Sequence, residues 1–526
     1  MLSGNISRNS GGALCFAGHD TAKLAEKYGT PLYLMDEGRI RDNCRMYLHA
    51  FKDAFGERGK VLYASKAASF KRMYEIVAEE GLSADVVSAG EIRTALKAGF
   101  PMDRLYFHGS SKTDSEISYA VASGVGCFVV DNVEELHALN REAGSAGIRQ
   151  RVLLRVTPGI DPHTYDAVST GKVDSKFGVA IETGQAKEFV SEALRQENLE
   201  LCGLHCHVGS QVFDEDVYER TVDIMLAFMA EVRDSLGVTL DELNLGGGYG
   251  VRYLESDKRI DIPARIRALG EHIKALARKL SYPMPVILME PGRSIVADAG
   301  MTLYTVSSVK RIPGYKSYVA VDGGMTDNPR YALYGSNYTV LDVMAPKKTE
   351  TFDLVGRCCE SGDIIQPNVS LNAEIKRGDL VAVCTTGAYN YSMASNYNRV
   401  PRPPIVMLGE RGDYLAVRLP DGTYTDLIQE GKLADEGVTL ADFSGGRAKQ
   451  EGSYGQLAWN GELYHAFTVS AADCTLPNLT APDGGILRLN ISGDCTVDGG
   501  GTEYACFEGF DCVLVTGEGA LTITNA

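Results

Sequence analysis

Between residues 61 and 294 the chain repeats one unit eight times, a short apolar run followed by an amphipathic stretch. The runs are VLYASKA (61–67), ADVVS (84–88), LYFHGSS (105–111), CFVVDN (127–132), RVLLRVTP (151–158), LCGLHCHVGS (201–210), LNLGGGYG (243–250) and VILMEPGRS (286–294). The segments between them, such as GEIRTALKAGF and ARIRALGEHIKALARKL, carry apolar residues at i, i+3 and i+4, the period of a helix with one buried face. Eight strands alternating with helices predict an α/β fold, a (β/α)8 TIM barrel, with a doubly wound sheet as the alternative. Polar residues gather at the C-terminal ends of the runs: Lys66, Asp85, Ser88, His108, Arg155, His207, Ser210 and Glu290. That rim is where such barrels keep their active sites.

After residue 300 the pattern changes to strands without long helices between them, in MTLYTVSSVKRI, SYVAVDGG, TFDLVGRCCES and DLVAVCTTGAY, which predicts a β-rich second domain. The expected organisation is a barrel over 36–298 and a β-rich domain from 1–35 and 299–425. A linker over 426–455 and a small all-β extension over 456–526 follow, the extension a sandwich or solenoid of short runs broken by NG, PDGG, SGD and DGGG.

The charge balance is −17, from 52 Lys and Arg against 69 Asp and Glu. Such a surface repels nucleic acid and anionic lipid and favours small-molecule chemistry. With no signal-like N-terminus and no run long enough to span a membrane, a cytoplasmic protein without nucleic-acid or membrane partners is expected. Its twelve cysteines are then expected to be mostly reduced thiols.

Cys202, His205, Cys206 and His207 crowd into LCGLHCHVGSQ, and thiols beside imidazoles suggest zinc. Strand alternation argues against it: Leu204 and Cys206 should face one side, His205 and His207 the other, with Cys202 on the cysteine side by parity. One metal cannot be reached from both faces, so no metal is assigned. The cysteines should pack as small hydrophobes and the histidines should face a planar or anionic ligand.

Three further runs describe that ligand. Lys66 ends the first strand inside a barrel mouth, where an amine is costly to desolvate unless it is used. Schiff-base formation is such a use, since burial should depress its pKa; a structural salt bridge is the alternative. The glycines Gly246 to Gly248 close the seventh strand, at the position where barrels commonly hold phosphate, or else form a tight turn. Glu290 can pair with a protonated pyridine nitrogen, and Arg293 offers a planar fork to an anion. A lysine, a phosphate cradle, a carboxylate and a stacking histidine on one rim describe a pyridoxal phosphate pocket.

These runs, with GLSADVVSAGEI, TGKVDSKFG, DGGMTDNPRYALYG, CCESGD and GAYNYSMASNYN, stand in one order between about residues 30 and 405. In them the chain resembles the fold-type III pyridoxal-phosphate decarboxylases, and within these the diaminopimelate branch. The resemblance implies decarboxylation of meso-2,6-diaminopimelate to L-lysine and carbon dioxide, the last step of lysine biosynthesis. It implies that Lys66 carries the cofactor and His207 stacks on its ring. Gly247 and Gly248 would hold the phosphate with Ser210 and Tyr389, and Glu290 would keep the ring nitrogen protonated. Asp85, Gly292 and Arg293 complete the implied cofactor site. Cys359 would protonate the carbanion from the partner subunit of a homodimer with shared active sites. Arg293, Arg330 and Tyr334, with Tyr389 beside them, would hold the substrate's distal carboxylate, and Glu360 would lie near its distal ammonium.

Read alone, Arg330 and Tyr334 could be surface groups, Tyr389 a core aromatic, and Cys358 rather than Cys359 the thiol that faces the pocket. Ala68 and Ser69, Tyr165 and Tyr331 depart from the family pattern, and Tyr331 adjoins a substrate arginine, so a related diamino acid (D-lysine, D-ornithine or carboxynorspermidine) is the alternative substrate. A non-catalytic, decarboxylase-like regulator is the third reading, although Lys66 and Cys359 are both present.

Overall fold

The computed structural model describes residues 3–160 and 174–409 and, further on, only strands between 414 and 524. All eight apolar runs form strands: Gly59–Ala64, Ser83–Val86, Leu105–Phe107, Cys127–Val130, Gln150–Thr157, Leu199–His205, Glu242–Asn244 and Val286–Met289. Each pairs in parallel with the next, and the eighth returns to the first through Ile287 opposite Gly59, so the sheet closes. The barrel expected from the repeat is present, and the doubly wound alternative is excluded by that closure.

Side chains alternate as the pleat requires. Leu62, Val129, Leu153 and Leu288 cluster with Tyr106 and Cys127 inside the barrel. Their neighbours Val61, Tyr63, Phe128, Val130, Val152, Leu154, Ile287 and Met289 pack outward under the helices. The stretches GEIRTALKAGF and ARIRALGEHIKALARKL supply the helices Ala89–Lys97 and Ile262–Lys279, which bury Ile92 and Ala95, and Ile266, Leu269 and Ile273. Ser88 and Asp261 cap their first turns through bonds to Glu91 N and Ala264 N.

One prediction on the sixth strand fails. Cys206 packs outward as expected, but Cys202 joins the barrel-interior cluster rather than the cysteine side. The register against the fifth strand slips between Leu201 and Gly203, a bulge that adds one residue. Parity counted across a bulge inverts, and the sequence run carries no mark of it.

A mixed sheet forms the second layer of the molecule. Gly300–Arg311 pairs antiparallel with Ser317–Val321, Leu380–Cys384 and Leu32–Asp36, and the last of these lies parallel to Ile405–Leu408. N-terminal Ile6, Leu14 and Phe16 share a core with Met301, Leu303 and Val406. Tyr424–Gln429 and Glu451–Trp459 are strands at the two ends of the stretch expected as a linker; most of what lies between them, like Tyr165, falls outside the described residues. In the extension, Glu462–Ala471, Ile486–Ile491 and Cys512–Gly517 stack in parallel, as a solenoid does. No described helix is long and apolar enough to cross a membrane.

Candidate active site

The C-terminal ends of the barrel strands surround a cavity of about 340 Å³. It is lined by Lys66 from the first strand's end, Asp85 from the second, His108 after the third, Arg155 from the fifth and His205 and His207 from the sixth. Ser210 follows the sixth strand, Gly247 and Gly248 the seventh, and Glu290, Gly292 and Arg293 the eighth. Arg330, Tyr334 and Tyr389 reach in from beyond the barrel. Twelve of the fourteen residues named from the sequence therefore line one cavity. Cys359 and Glu360 do not. They sit on the exposed loop after the strand Thr349–Val355, with Cys359 open to solvent and Cys358 half-buried.

Lys66 lies deep in the fold, yet its side chain is accessible through the open cavity. Burial alone would lower its pKa, as the sequence reading expected. The negative groups around it, Asp85 first and then Tyr389 and Glu290, outweigh that effect and raise it. The expected depression is thus not found, because acids are packed on the same rim. Asp85 accepts the Ser65 N–H at 3.1 Å at the base of the lysine turn. Its own carboxyl is pushed up to about 7, since burial outweighs the attraction of Lys66. Tyr389 donates its backbone N–H to Ala67 O at 2.8 Å and holds φ at 60°, a conformation a tyrosine adopts only under local constraint.

Across the cavity, Glu290 is clamped. Asn244 Nδ2 donates to Oε1 at 2.7 Å, His108 Nε2 stands 2.8 Å from the same oxygen, and His205 Nε2 lies 3.2 Å from Oε2. Burial works against its charge, but the two imidazoles prevail and hold the carboxyl well below its ordinary range. His205 is pushed down to about 4 by burial, so at neutral pH it is a neutral ring donating to a carboxylate. His207 is held well below the ordinary imidazole range by burial and by the nearby Lys66 and Arg155 charges, which leaves an uncharged ring facing the cavity.

At the other end, a Cβ on Gly247 would lie 2.0 Å from Glu290 O, and one on Gly248 would lie 2.2 Å from Gly209 O. Gly248 also holds φ at +126°, so only glycine lets the backbone pass here. Arg293, 6% exposed, donates to Ser210 Oγ at 3.0 and 3.3 Å and to Tyr253 Oη at 2.7 Å, with its guanidinium 4.7 Å from the Tyr389 ring centroid. Arg330, 5% exposed, lies over Tyr334 at 4.5 Å, and its Nε has no hydrogen-bond partner. Among the described residues neither arginine is within ion-pair distance of a carboxylate, so both are held ready for an anion.

A flat ring bearing a phosphate, an aldehyde and a basic nitrogen fits these groups: glycines and Ser210 with Arg293 at one end, Lys66 at the side, and the Glu290 carboxylate opposite. Pyridoxal phosphate is such a molecule. Sequence reading missed Asn244, which accepts the Gly246 N–H at 2.9 Å and so joins the glycine turn to Glu290. The signal was there. Leu243 and Leu245 pack outward, so alternation alone turns Asn244 inward.

A family model for the pyridoxal-dependent decarboxylase, pyridoxal binding domain, matches residues 38–297. The diaminopimelate decarboxylase of Bacillus subtilis (strain 168) is 43% identical over 431 residues, covering 82% of this chain and 97% of its own length. That of Staphylococcus aureus (strain COL) is 42% identical over 404 residues, covering 77% of this chain and 94% of its own. Among solved structures, diaminopimelate decarboxylase from M. jannaschii in co-complex with L-lysine is similar with TM-score 0.73 at 33% identity, over 79% of this chain and 95% of that one. The lysine/ornithine decarboxylase of Vibrio vulnificus complexed with cadaverine is similar with TM-score 0.64 at 26% identity, over 74% and 98%.

Proposed function

The chain belongs to the diaminopimelate decarboxylase family of pyridoxal-dependent enzymes, and on that footing we propose that it converts meso-2,6-diaminopimelate to L-lysine and carbon dioxide, the last step of lysine biosynthesis. The observation that carries this reading is the convergence of Lys66, His207, Glu290 and the glycine cradle on one cavity that also holds two arginines without carboxylate partners among the described residues.

When bound, pyridoxal phosphate supplies a protonated ring that accepts the electron pair left on the substrate's α-carbon as carbon dioxide departs. Lys66 would hold the aldehyde end through its amine. His207 would stack on the ring as a neutral imidazole, adding no charge to compete with the ring's own. Glu290 keeps the ring nitrogen protonated, and Asp85 braces the turn that carries Lys66. Gly247, Gly248, Gly292, Ser210, Arg293 and Tyr389 hold the phosphate end.

Arg293 also joins Arg330, Tyr334 and Tyr389 at the distal carboxylate, and Glu360 meets the distal ammonium. A diamine precursor without that carboxylate would leave the arginines buried and unpaired, at about 2–5 kcal/mol for a broken charge pair. The partner subunit's Cys359 delivers the proton to the α-carbon, so the active unit is a homodimer with shared sites. Residues 36–298 supply most of the cofactor site; from 299–425, Arg330, Tyr334 and Tyr389 reach the cavity of their own chain, and Cys359 and Glu360, outside it, act across the dimer. The enzyme works in the cytoplasm, a setting that suits the eight free thiols among the described cysteines.

Reduction of the loaded enzyme with borohydride, followed by peptide mass mapping, tests the central assignment. The cofactor's mass should remain on the peptide containing Lys66, and the untreated enzyme should form lysine from meso-diaminopimelate. Label on a different lysine, or turnover that survives Lys66→Ala, would overturn it.

A further inference from the structure

The two imidazoles around Glu290 have no role in the reaction just described, although they occupy the centre of the barrel mouth. They come from different strands, His108 from the end of the third and His205 from the sixth, and their rings meet edge to face at 4.9 Å. His205 is 1% exposed, and its Nε2 lies against Glu290. Its Nε2 reaches Oε2 of Glu290 while Asn244 and His108 approach Oε1, so both carboxylate oxygens are engaged from the protein side. The Asn244 amide is oriented by its second bond, from the Gly246 N–H, and can offer only its NH2 to the acid.

We infer that His205, with His108, is a positioning residue that keeps Glu290 an oriented carboxylate facing the cofactor's ring nitrogen. The inference rests on the role proposed above for Glu290. A carboxyl in so closed a place would otherwise tend to keep its proton, and a neutral acid cannot hold a pyridinium. A donor on each oxygen stabilises the charged form and also fixes the plane of the group. The other charged or titratable groups facing Glu290 are Lys66 from the first strand's end, Asp85 from the second, Arg155 from the fifth and His207 from the sixth. Their signs are mixed, which makes the imidazoles the specific anion-stabilising element. Neutral His205 acts through its Nε2–H, so its tautomer is dictated: Nδ1 must be the bare nitrogen, and Nδ1 has no hydrogen-bond partner.

Carbon-13 titration of Glu290 in the cofactor-free protein, assigned with Glu290→Gln, tests this directly. His205→Leu should move the midpoint up by about one to two pH units, and His205→Gln, which retains an N–H donor, should bring it back toward wild type. In the loaded protein, the pH midpoint of the cofactor's visible absorbance should move upward with His205→Leu as well. A folded His205→Leu with the wild-type Glu290 midpoint would overturn the inference. Should that variant not fold, nitrogen-15 spectra of the wild-type imidazoles decide: a His205 ring protonated at Nδ1 and bare at Nε2 overturns it, and the Nε2–H form supports it. If Glu290→Gln leaves the absorbance unchanged, the assignment of Glu290 to the ring nitrogen fails, and this inference with it. A spectrum altered by Glu290→Gln but unmoved by His205→Leu sinks the inference alone.

Discussion

The barrel mouth and the loop that carries Cys359 are both well defined, but they are built to opposite ends. At the mouth, charged groups are turned toward a cavity: Lys66, Asp85, Glu290, Arg293 and Arg330 line one space within one chain. On the loop, the backbone is tied down by hydrogen bonds and the chemistry is turned out. Asp363 accepts the N–H groups of Met325 at 2.6 Å and Cys358 at 2.7 Å, and Arg357 N bonds Gly323 O at 3.0 Å, while Cys359 and Glu360 face solvent. A loop pinned so firmly, with its reactive groups exposed and outside its own cavity, suits the role proposed above for it in a second copy. On the function proposed above, the difference teaches that cofactor binding would be a property of one chain, whereas protonation and ammonium recognition would depend on assembly.

Subunit complementation would break that comparison most directly. Cys359→Ala should lower kcat by about 10²–10⁴-fold, as for loss of a general acid. Mixed and reassociated with Lys66→Ala chains, it should recover about one quarter of wild-type turnover, because half the dimers are mixed and each has one intact site. No recovery would mean that lysine and cysteine act in the same chain.

Arg330→Ala should cost about 2–5 kcal/mol in binding the distal carboxylate, read as a raised KM for diaminopimelate. Cofactor affinity should stay unchanged. Intact KM would exclude a distal carboxylate and return the substrate to the related diamino acids.

The smallest effect concerns the crowded mouth alone. The Asp85 carboxyl, pushed up to about 7 from an ordinary 3.8, keeps in the folded chain a proton that the unfolded chain has released. Its contribution is whole below about pH 4 and is lost as pH rises through about 7. Denaturant midpoints of the cofactor-free wild type should therefore fall across that window relative to Asp85→Asn. Parallel curves would show that the mouth is less crowded than its geometry indicates.

Much of this was legible in the chain before folding. Eight apolar runs with polar ends predicted the strands and the rim, because period and strand length are local properties of residues. The functional residues at those ends could be found for the same reason. Cys202 was misassigned, because a bulge depends on how two strands meet. Asn244 was overlooked although its parity was readable. The pKa of Lys66 was misjudged because it is set by Asp85, Tyr389 and Glu290, from three distant parts of the chain.

By itself, the order of residues determined which side chains would be presented at the barrel's rim and the chemistry they can perform, since alternation along a strand is set one residue at a time. Tertiary structure alone decided the company each one keeps: the imidazoles on Glu290, the arginines left without acids among the described residues, and the outward turn of Cys359. Electrostatic and hydrogen-bond energies fall steeply over a few ångströms, and those distances exist only once the barrel has closed.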